Sequence, residues 1–157
     1  MRPASTILIV AGDPVEKEAL ASLLADQGYD LSFAAPGPEA LTQAGELAPD
    51  IILLEASTDG FDLCRKLRAE PVLSGVLVLM TVAVADHRAR VQGLEAGADD
   101  FVCKPFQRTE FQPRLRAFAR LCSQRRQAQA RTQRQQAEIA RRQRELLALQ
   151  SAGPSEN

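Results

Sequence analysis

The fold is decided by the stretch TILIVAGDP, residues 6–14. Its first five residues form a continuous apolar run rich in β-branched side chains, which is typical of a strand buried on both faces of a sheet. Asp13 and Pro14 then supply a helix N-cap and a proline at the first helical position. Helical spacing up to a stop at Gly28 gives one apolar face, made of Val15, Ala19, Leu20, Leu23 and Leu24. The stretch therefore predicts a buried strand followed at once by a helix.

The same strand-then-helix unit recurs four more times along the chain. Further strands are predicted at residues 30–34, 50–54, 76–80 and 101–103. Further helices are predicted at residues 37–47, from Asp59 or Gly60, at residues 86–96, and from about Gln107. Five strands that alternate with five helices require right-handed crossovers and a parallel sheet covered on both faces, which is an α/β fold.

Candidate site residues follow from the position of the strands. Parallel sheets of this kind carry their sites at the carboxyl ends of the strands. The residues found there are Ala11, Gly12, Asp13, Glu55, Thr81 and Lys104.

Composition and motifs exclude several classes of protein. No apolar run is long enough to span a membrane, and the first residues lack the apolar stretch of a signal peptide. Three cysteines without C-x-x-C spacing argue against a disulfide framework or a zinc site and for a reducing, cytoplasmic location. No Gly-rich phosphate loop, Ser-His-Asp pattern or Cys-His ligand set occurs, so we expect no enzyme activity.

Charge is distributed unevenly along the chain. Residues 1–119 carry 11 basic and 17 acidic side chains, whereas residues 120–157 carry 8 basic and 3 acidic ones. The second part is rich in Arg, Gln and Ala and has no Gly or Pro before position 151. We therefore predict a compact domain at 1–120, an extended basic helix or coiled coil at 121–150, and a flexible tail at 151–157.

Four stretches carry a resemblance to a known family. They are ILIV with the following Asp13-Pro14, PDIILL at 49–54, DGFDLCRKLR at 59–68 and GLEAGADDFVCKPF at 93–106. Together they resemble the receiver domain of bacterial two-component response regulators, over about residues 5–120. The resemblance implies a flavodoxin-like, doubly wound (βα)5 sheet with strand order 2-1-3-4-5, followed here by an extended C-terminal helix.

The resemblance also implies a site chemistry. Receivers hold Mg²⁺ against a phosphoacceptor aspartate, because a carboxylate attacks an anionic phosphoryl group poorly unless a dication neutralises the charge. By similarity, Thr81 matches the switch hydroxyl, Lys104 the lysine that pairs with the phosphoryl group, and Phe101 the switch aromatic.

Other positions depart from the family's pattern. The acidic pair falls on Ala11 and Gly12, which offer no side-chain ligand, and Asp13 remains one residue late as an acidic remnant. The phosphoacceptor position falls on Glu55, and the loop after it is about three residues short. We therefore expect no metal ligands, lost or weak Mg²⁺ binding and no cofactor. Glutamate is one methylene longer than aspartate, so we expect Glu55 to reach Lys104 and partly mimic a phosphorylated site.

These features predict an atypical pseudo-receiver that signals without phosphorylation. We expect a parallel homodimer through the C-terminal helix, with a sensor kinase or an output domain as protein partner. The paired seam would contain Leu121, Arg125, Ala128, Thr132, Gln135, Ile139, Arg142, Leu146 and Leu149.

Two alternatives remain open at this point. One is a receiver that still accepts phosphate and regulates an output module. The other is nucleic-acid binding by the basic helix, which is less favoured because no aromatic residue follows Phe118 to stack on bases.

Overall fold

Within residues 5–153, the part of the chain that a computed structural model describes, five strands alternate with five helices. The strands are β1 (Thr6–Val10), β2 (Asp30–Ala34), β3 (Ile51–Glu55), β4 (Leu77–Ala83) and β5 (Asp100–Lys104). The helices are α1 (Pro14–Leu24), α2 (Pro38–Leu47), α3 (Thr58–Ala69), α4 (His87–Ala96) and α5 (Arg108–Ser151). The predicted alternation is confirmed, and so is the long C-terminal helix.

The five strands form one parallel sheet in the order β2-β1-β3-β4-β5. This is the flavodoxin-like order expected from the resemblance. Residues 7–10 of β1 and 51–54 of β3 are fully buried, because helices cover both faces of the sheet. One face packs against α1 and α5, and the other against α2, α3 and α4. The carboxyl ends of the strands therefore share one edge.

Several predicted boundaries differ from the structure. α1 ends at Leu24, with Ala25 as its C-cap, and does not continue to the predicted stop at Gly28. β3 and β5 are shifted or extended by one residue. β4 continues past Met80, because residues 81–83 pair with residues 102–104 of β5. α3 begins at Thr58 instead of Asp59 or Gly60, since the Ser57 hydroxyl caps it by accepting a hydrogen bond of 3.0 Å from the backbone N–H of Gly60. The boundaries of β4 and α3 that changed both lie at the carboxyl edge of the sheet, where the candidate site residues are expected.

The shortened loop after β3 brings α3 close to the end of that strand. A Cβ atom added to Gly60 would lie only 2.1 Å from the backbone oxygen of Glu55. Only glycine fits this contact, so the first turn of α3 lies directly against the end of β3.

The described residues group into two compact units, which divide between Cys122 and Ser123. In the second unit the helix is largely exposed and carries exposed apolar side chains at Ile139, Leu146, Leu147 and Leu149. The predicted domain boundaries stay predictions, and residues 154–157 of the predicted tail lie outside the described residues. Within the described part of the chain, no helix combines the length and apolarity needed to cross a membrane.

Candidate functional site

Four polar side chains meet at the carboxyl edge of the sheet, and we call them the strand-end cluster. Glu55 ends β3, Thr81 lies beside it in the register of β4, and Lys104 ends β5. The fourth member, Glu16, comes from the first turn of α1. Three of these residues are predicted from the sequence, and Glu16 is not.

Glu16 is the most enclosed charged group of the strand-end cluster. Its side chain is only 6% exposed. One carboxylate oxygen, Oε1, accepts a hydrogen bond of 2.7 Å from the Thr81 hydroxyl, and Oε2 accepts one of 3.0 Å from Lys104 Nζ. Acidic side chains are almost never this buried unless they are paired, and both oxygens of this one are engaged.

Lys104 contacts two carboxylates. Besides the bond to Glu16, its Nζ lies 3.4 Å from Oε1 of Glu55. The expected Glu55–Lys104 contact is thus present, as the longer of the two. Burial acts to lower the pKa of Lys104, but the hydrogen bond and charge of Glu16, followed by those of Glu55, raise it above the ordinary value of 10.5.

Asp13 is not brought into the strand-end cluster. It lies exposed at the N-terminus of α1, where its carboxylate accepts a hydrogen bond of 2.9 Å from the backbone N–H of Val15. A carboxylate in this position satisfies a free N–H and favours the positive end of the helix dipole. The acid nearest in sequence to the lost pair therefore caps a helix.

Phe101 lies half-buried on β5 and packs against α4. A Cβ atom added to Gly93 of α4 would lie 2.8 Å from Phe101 Cε1 and 2.8 Å from the sulfur of Met80. On the other side, Arg114 of α5 donates a hydrogen bond to the backbone oxygen of Phe101 and pairs with Asp100 at 3.3 Å. Phe101 thus connects β5 with both α4 and α5.

The donor set of the strand-end cluster does not fit the magnesium site that the family resemblance implies. Mg²⁺ prefers several oxygen ligands in near-octahedral geometry. Here Ala11 and Gly12 offer no side-chain oxygen, and one ammonium group holds the carboxylates of Glu16 and Glu55. Among residues 5–153, no group of three or more His, Cys, Asp or Glu side chains could hold a metal ion.

A sequence signal for Glu16 exists in the spacing of α1. Val15, predicted to lie on the apolar face, is 73% exposed and follows the cap, so that prediction is wrong. The buried positions are Glu16, Leu20, Leu23 and Leu24, at steps of four, seven and eight from the first. An acid that occupies a core position of an otherwise apolar helix face indicates a buried partner.

Comparison with known proteins supports one family. The model of the response regulator receiver domain matches residues 7–116. The DNA-binding response regulator MtrA of Mycolicibacterium smegmatis is 43% identical over 117 residues, which are 73% of this chain and 50% of that protein. The chain therefore spans about half the length of this curated relative.

Solved structures show the same fold. A response regulator from Chloroflexus aurantiacus matches with a TM-score of 0.70 and 34% identity, covering 74% of this chain and 98% of that one. The receiver domain of a sensor histidine kinase from Pseudomonas aeruginosa matches with a TM-score of 0.67 and 29% identity, covering 77% of this chain and 99% of that one. In that structure a magnesium ion is coordinated in the active site cleft.

Proposed function

The chain belongs to the response regulator receiver domain family, and we propose that it signals without phosphorylation, as a homodimer that presents a fixed surface to a protein partner. The observation that carries the proposal is the double contact of Lys104 Nζ, at 3.0 Å to Glu16 and 3.4 Å to Glu55. An ammonium group that already pairs with two carboxylates has no charge left to offset an incoming phosphoryl group.

The proposed loss of phosphoryl transfer has a second support in the absent ligands. A carboxylate nucleophile needs a dication to offset the charge of the phosphoryl group. Ala11 and Gly12 provide no side-chain oxygen for that ion, and the Glu55 carboxylate is held by Lys104. We therefore propose that Mg²⁺ binding is lost or weak, that no cofactor is used, and that the domain has no enzymatic step of its own.

The proposed output surface is formed by α4, β5 and α5. Phe101 is its central residue, because its ring packs under Gly93 of α4 while its backbone accepts from Arg114 of α5. Protein interiors resist small displacements, so a ring held at this contact keeps the neighbouring helices in one arrangement. A sensor kinase or an output domain is the proposed partner of this surface.

Dimerisation is proposed to use the apolar stripe of the C-terminal helix. Ile139, Leu146 and Leu149 follow a spacing of seven and three and are exposed. Exposed apolar side chains at coiled-coil spacing favour pairing with a second helix, because a lone helix of this composition is marginal in water. A second copy of the chain supplies the matching stripe in a parallel pair.

The test of phosphorylation is an intact-mass measurement. The purified chain is incubated with Mg²⁺ and acetyl phosphate, and separately with Mg²⁺ and fluoroberyllate. We expect no added mass and no Mg²⁺-dependent change in the NMR spectrum. An added phosphoryl mass that disappears in a Glu55→Gln variant would contradict the proposal and support the alternative of a phospho-accepting receiver.

The test of dimerisation compares two variants in sedimentation experiments. Leu146→Gln with Leu149→Gln removes apolar groups from the predicted seam, and we expect a monomer at concentrations where the unaltered chain is a dimer. Leu147→Gln makes the same chemical change beside the seam and serves as the control. Dimers that persist in the double variant would place the interface elsewhere.

Nucleic-acid binding is a second candidate because of the charge of the tail. The helix residues 123–151 include seven arginines and two glutamates. Such a helix would contact phosphates, and its affinity for random duplex DNA would fall steeply with salt. Binding to random duplex DNA is measured at low and at moderate salt, and we expect little binding at either. Binding at low salt that falls steeply at moderate salt would favour this alternative.

A further inference from the structure

We propose that Glu16 is an internal ligand of the strand-end cluster, whose carboxylate fixes the Thr81 hydroxyl and the Lys104 ammonium in the place of an external anion. The inference rests on the proposed function, because it names the residue that would hold this receiver in one state. It concerns a position that the family resemblance does not single out.

The first support is the burial of Glu16. The residue continues the core face of α1 that Leu20, Leu23 and Leu24 form. A leucine would fill this position without the cost of burying a charge. A carboxylate is tolerated here because two donors satisfy it.

The second support is that the two carboxylate oxygens of Glu16 accept from different donors. Oε1 accepts from Thr81 on β4, and Oε2 accepts from Lys104 on β5. At 2.7 Å the Thr81 contact has the length of a charge-assisted hydrogen bond. The Glu16–Lys104 contact, at 3.0 Å, is shorter than the 3.4 Å contact from Glu55. One carboxylate thus ties α1 to two neighbouring strands, and it occupies the single O–H donor of Thr81 and one of the three N–H donors of Lys104.

The Glu16–Thr81 hydrogen bond affects the proposed output surface through β4, the strand that leads into α4. Thr81 pairs with Val102, the neighbour of Phe101 on β5. Beyond Thr81, β4 ends at Ala83 and α4 begins at His87. A hydroxyl bonded to Glu16 therefore anchors the strand a few residues before α4, and Glu16 acts on that surface as a positioning residue.

The experiment uses two substitutions in the full chain. Glu16→Leu keeps the packing and removes both acceptors. Glu16→Gln keeps an amide oxygen for Thr81 and removes the charge that faces Lys104. Glu18→Leu, at an exposed position of the same helix, removes an equal charge away from the cluster and is the matched control.

Three NMR readouts separate a positioning role from a structural one: the methyl resonance of Thr81, the titration of the Lys104 side chain, and amide exchange over residues 82–96. For Glu16→Leu we expect a shifted or broadened Thr81 methyl, a lower titration midpoint of Lys104, and exchange faster by about tenfold or more, as for one lost hydrogen bond to a charged group. For Glu16→Gln we expect the lower Lys104 midpoint while the Thr81 signal stays close to that of the unaltered chain.

Unchanged Thr81 and Lys104 signals in Glu16→Leu would overturn the inference, and if that variant does not fold, an unchanged Lys104 midpoint in Glu16→Gln would do the same. The results of this experiment can be told apart from the results of the phosphorylation test. A phosphorylated unaltered chain would end the proposed function, even where Glu16→Leu releases Thr81. An unphosphorylated chain with unchanged signals in the variants would end the role of Glu16 alone.

Discussion

Replacing Lys104 by methionine tests the charge balance of the strand-end cluster. Methionine keeps much of the aliphatic stem but leaves Glu16, with its 6% exposed side chain, without a cation. Removing one partner of a buried pair costs about 3–5 kcal/mol, whereas the contact to the partly exposed Glu55 contributes at most ~1 kcal/mol. Lys104 itself is 33% exposed, so we expect the lower end of that range, a loss of about 3 kcal/mol in the free energy of unfolding at pH 7.

Urea unfolding followed by circular dichroism measures this loss. Adding Glu16→Gln to Lys104→Met should recover much of the stability, since it removes the unpaired charge. The control is Lys66→Met, which breaks an exposed pair with Asp62 and should cost about 0.5 kcal/mol. A loss below ~1 kcal/mol in Lys104→Met, or no recovery in the double variant, would refute the reasoning.

Further predictions concern alkaline pH and three glycines. Because the pKa of folded Lys104 is raised above 10.5, its stabilising contribution is complete below that value and is lost as the pH rises through the folded pKa; urea titrations at alkaline pH should fall more steeply for the unaltered chain than for Lys104→Met. Gly93→Ala should cost ~1–3 kcal/mol in urea unfolding, because its Cβ would press on the Phe101 ring. A Cβ atom added to Gly45 would meet nothing within 4 Å, so Gly45→Ala should stabilise α2 by up to ~1 kcal/mol. A loss of stability in this variant would contradict the expected difference from Gly93→Ala. Gly60→Ala should cost at least ~3 kcal/mol in the same assay, since the backbone oxygen in its way cannot rotate aside.

The fold is readable from the sequence because its strands are buried on both faces. Such strands appear as short, continuous apolar runs, and the order of runs and helices fixes the parallel sheet. The boundaries that fail have two causes, a distant partner strand for β4 and a choice between neighbouring caps for α3. β4 extends to Ala83 because β5 pairs with it, and α3 starts at Thr58, two residues before Gly60, because the Ser57 hydroxyl, not the Asp59 carboxylate, accepts from the free N–H of Gly60. Local sequence offers both caps and does not choose between them.

The site is only partly readable for a related reason. The position of strand ends leads to Glu55, Thr81 and Lys104, which the fold brings together. Glu16 contacts Thr81 and Lys104, which lie 65 and 88 residues away in the sequence, and its sequence neighbours do not identify these two partners. The helical spacing alone marks its position as buried, and a search for apolar stripes passes over a charged residue there.

The residues at positions 11, 12 and 55 depart from the family pattern in ways that compensate one another. We therefore expect the effects of changing them to depend on one another. Glu16, Glu55 and Lys104 carry two negative charges and one positive charge, so a further carboxylate at Ala11 would meet like charges without a cation to offset them. A dication would offset that charge, yet Lys104 already holds the oxygens it needs. We therefore expect a single substitution at one of these positions to cost stability and not to create a metal site by itself. The effects of groups that share partners are not additive, so a joint change at positions 11, 12, 16 and 55 is needed to test whether this pocket can hold the ligand set that the family resemblance implies.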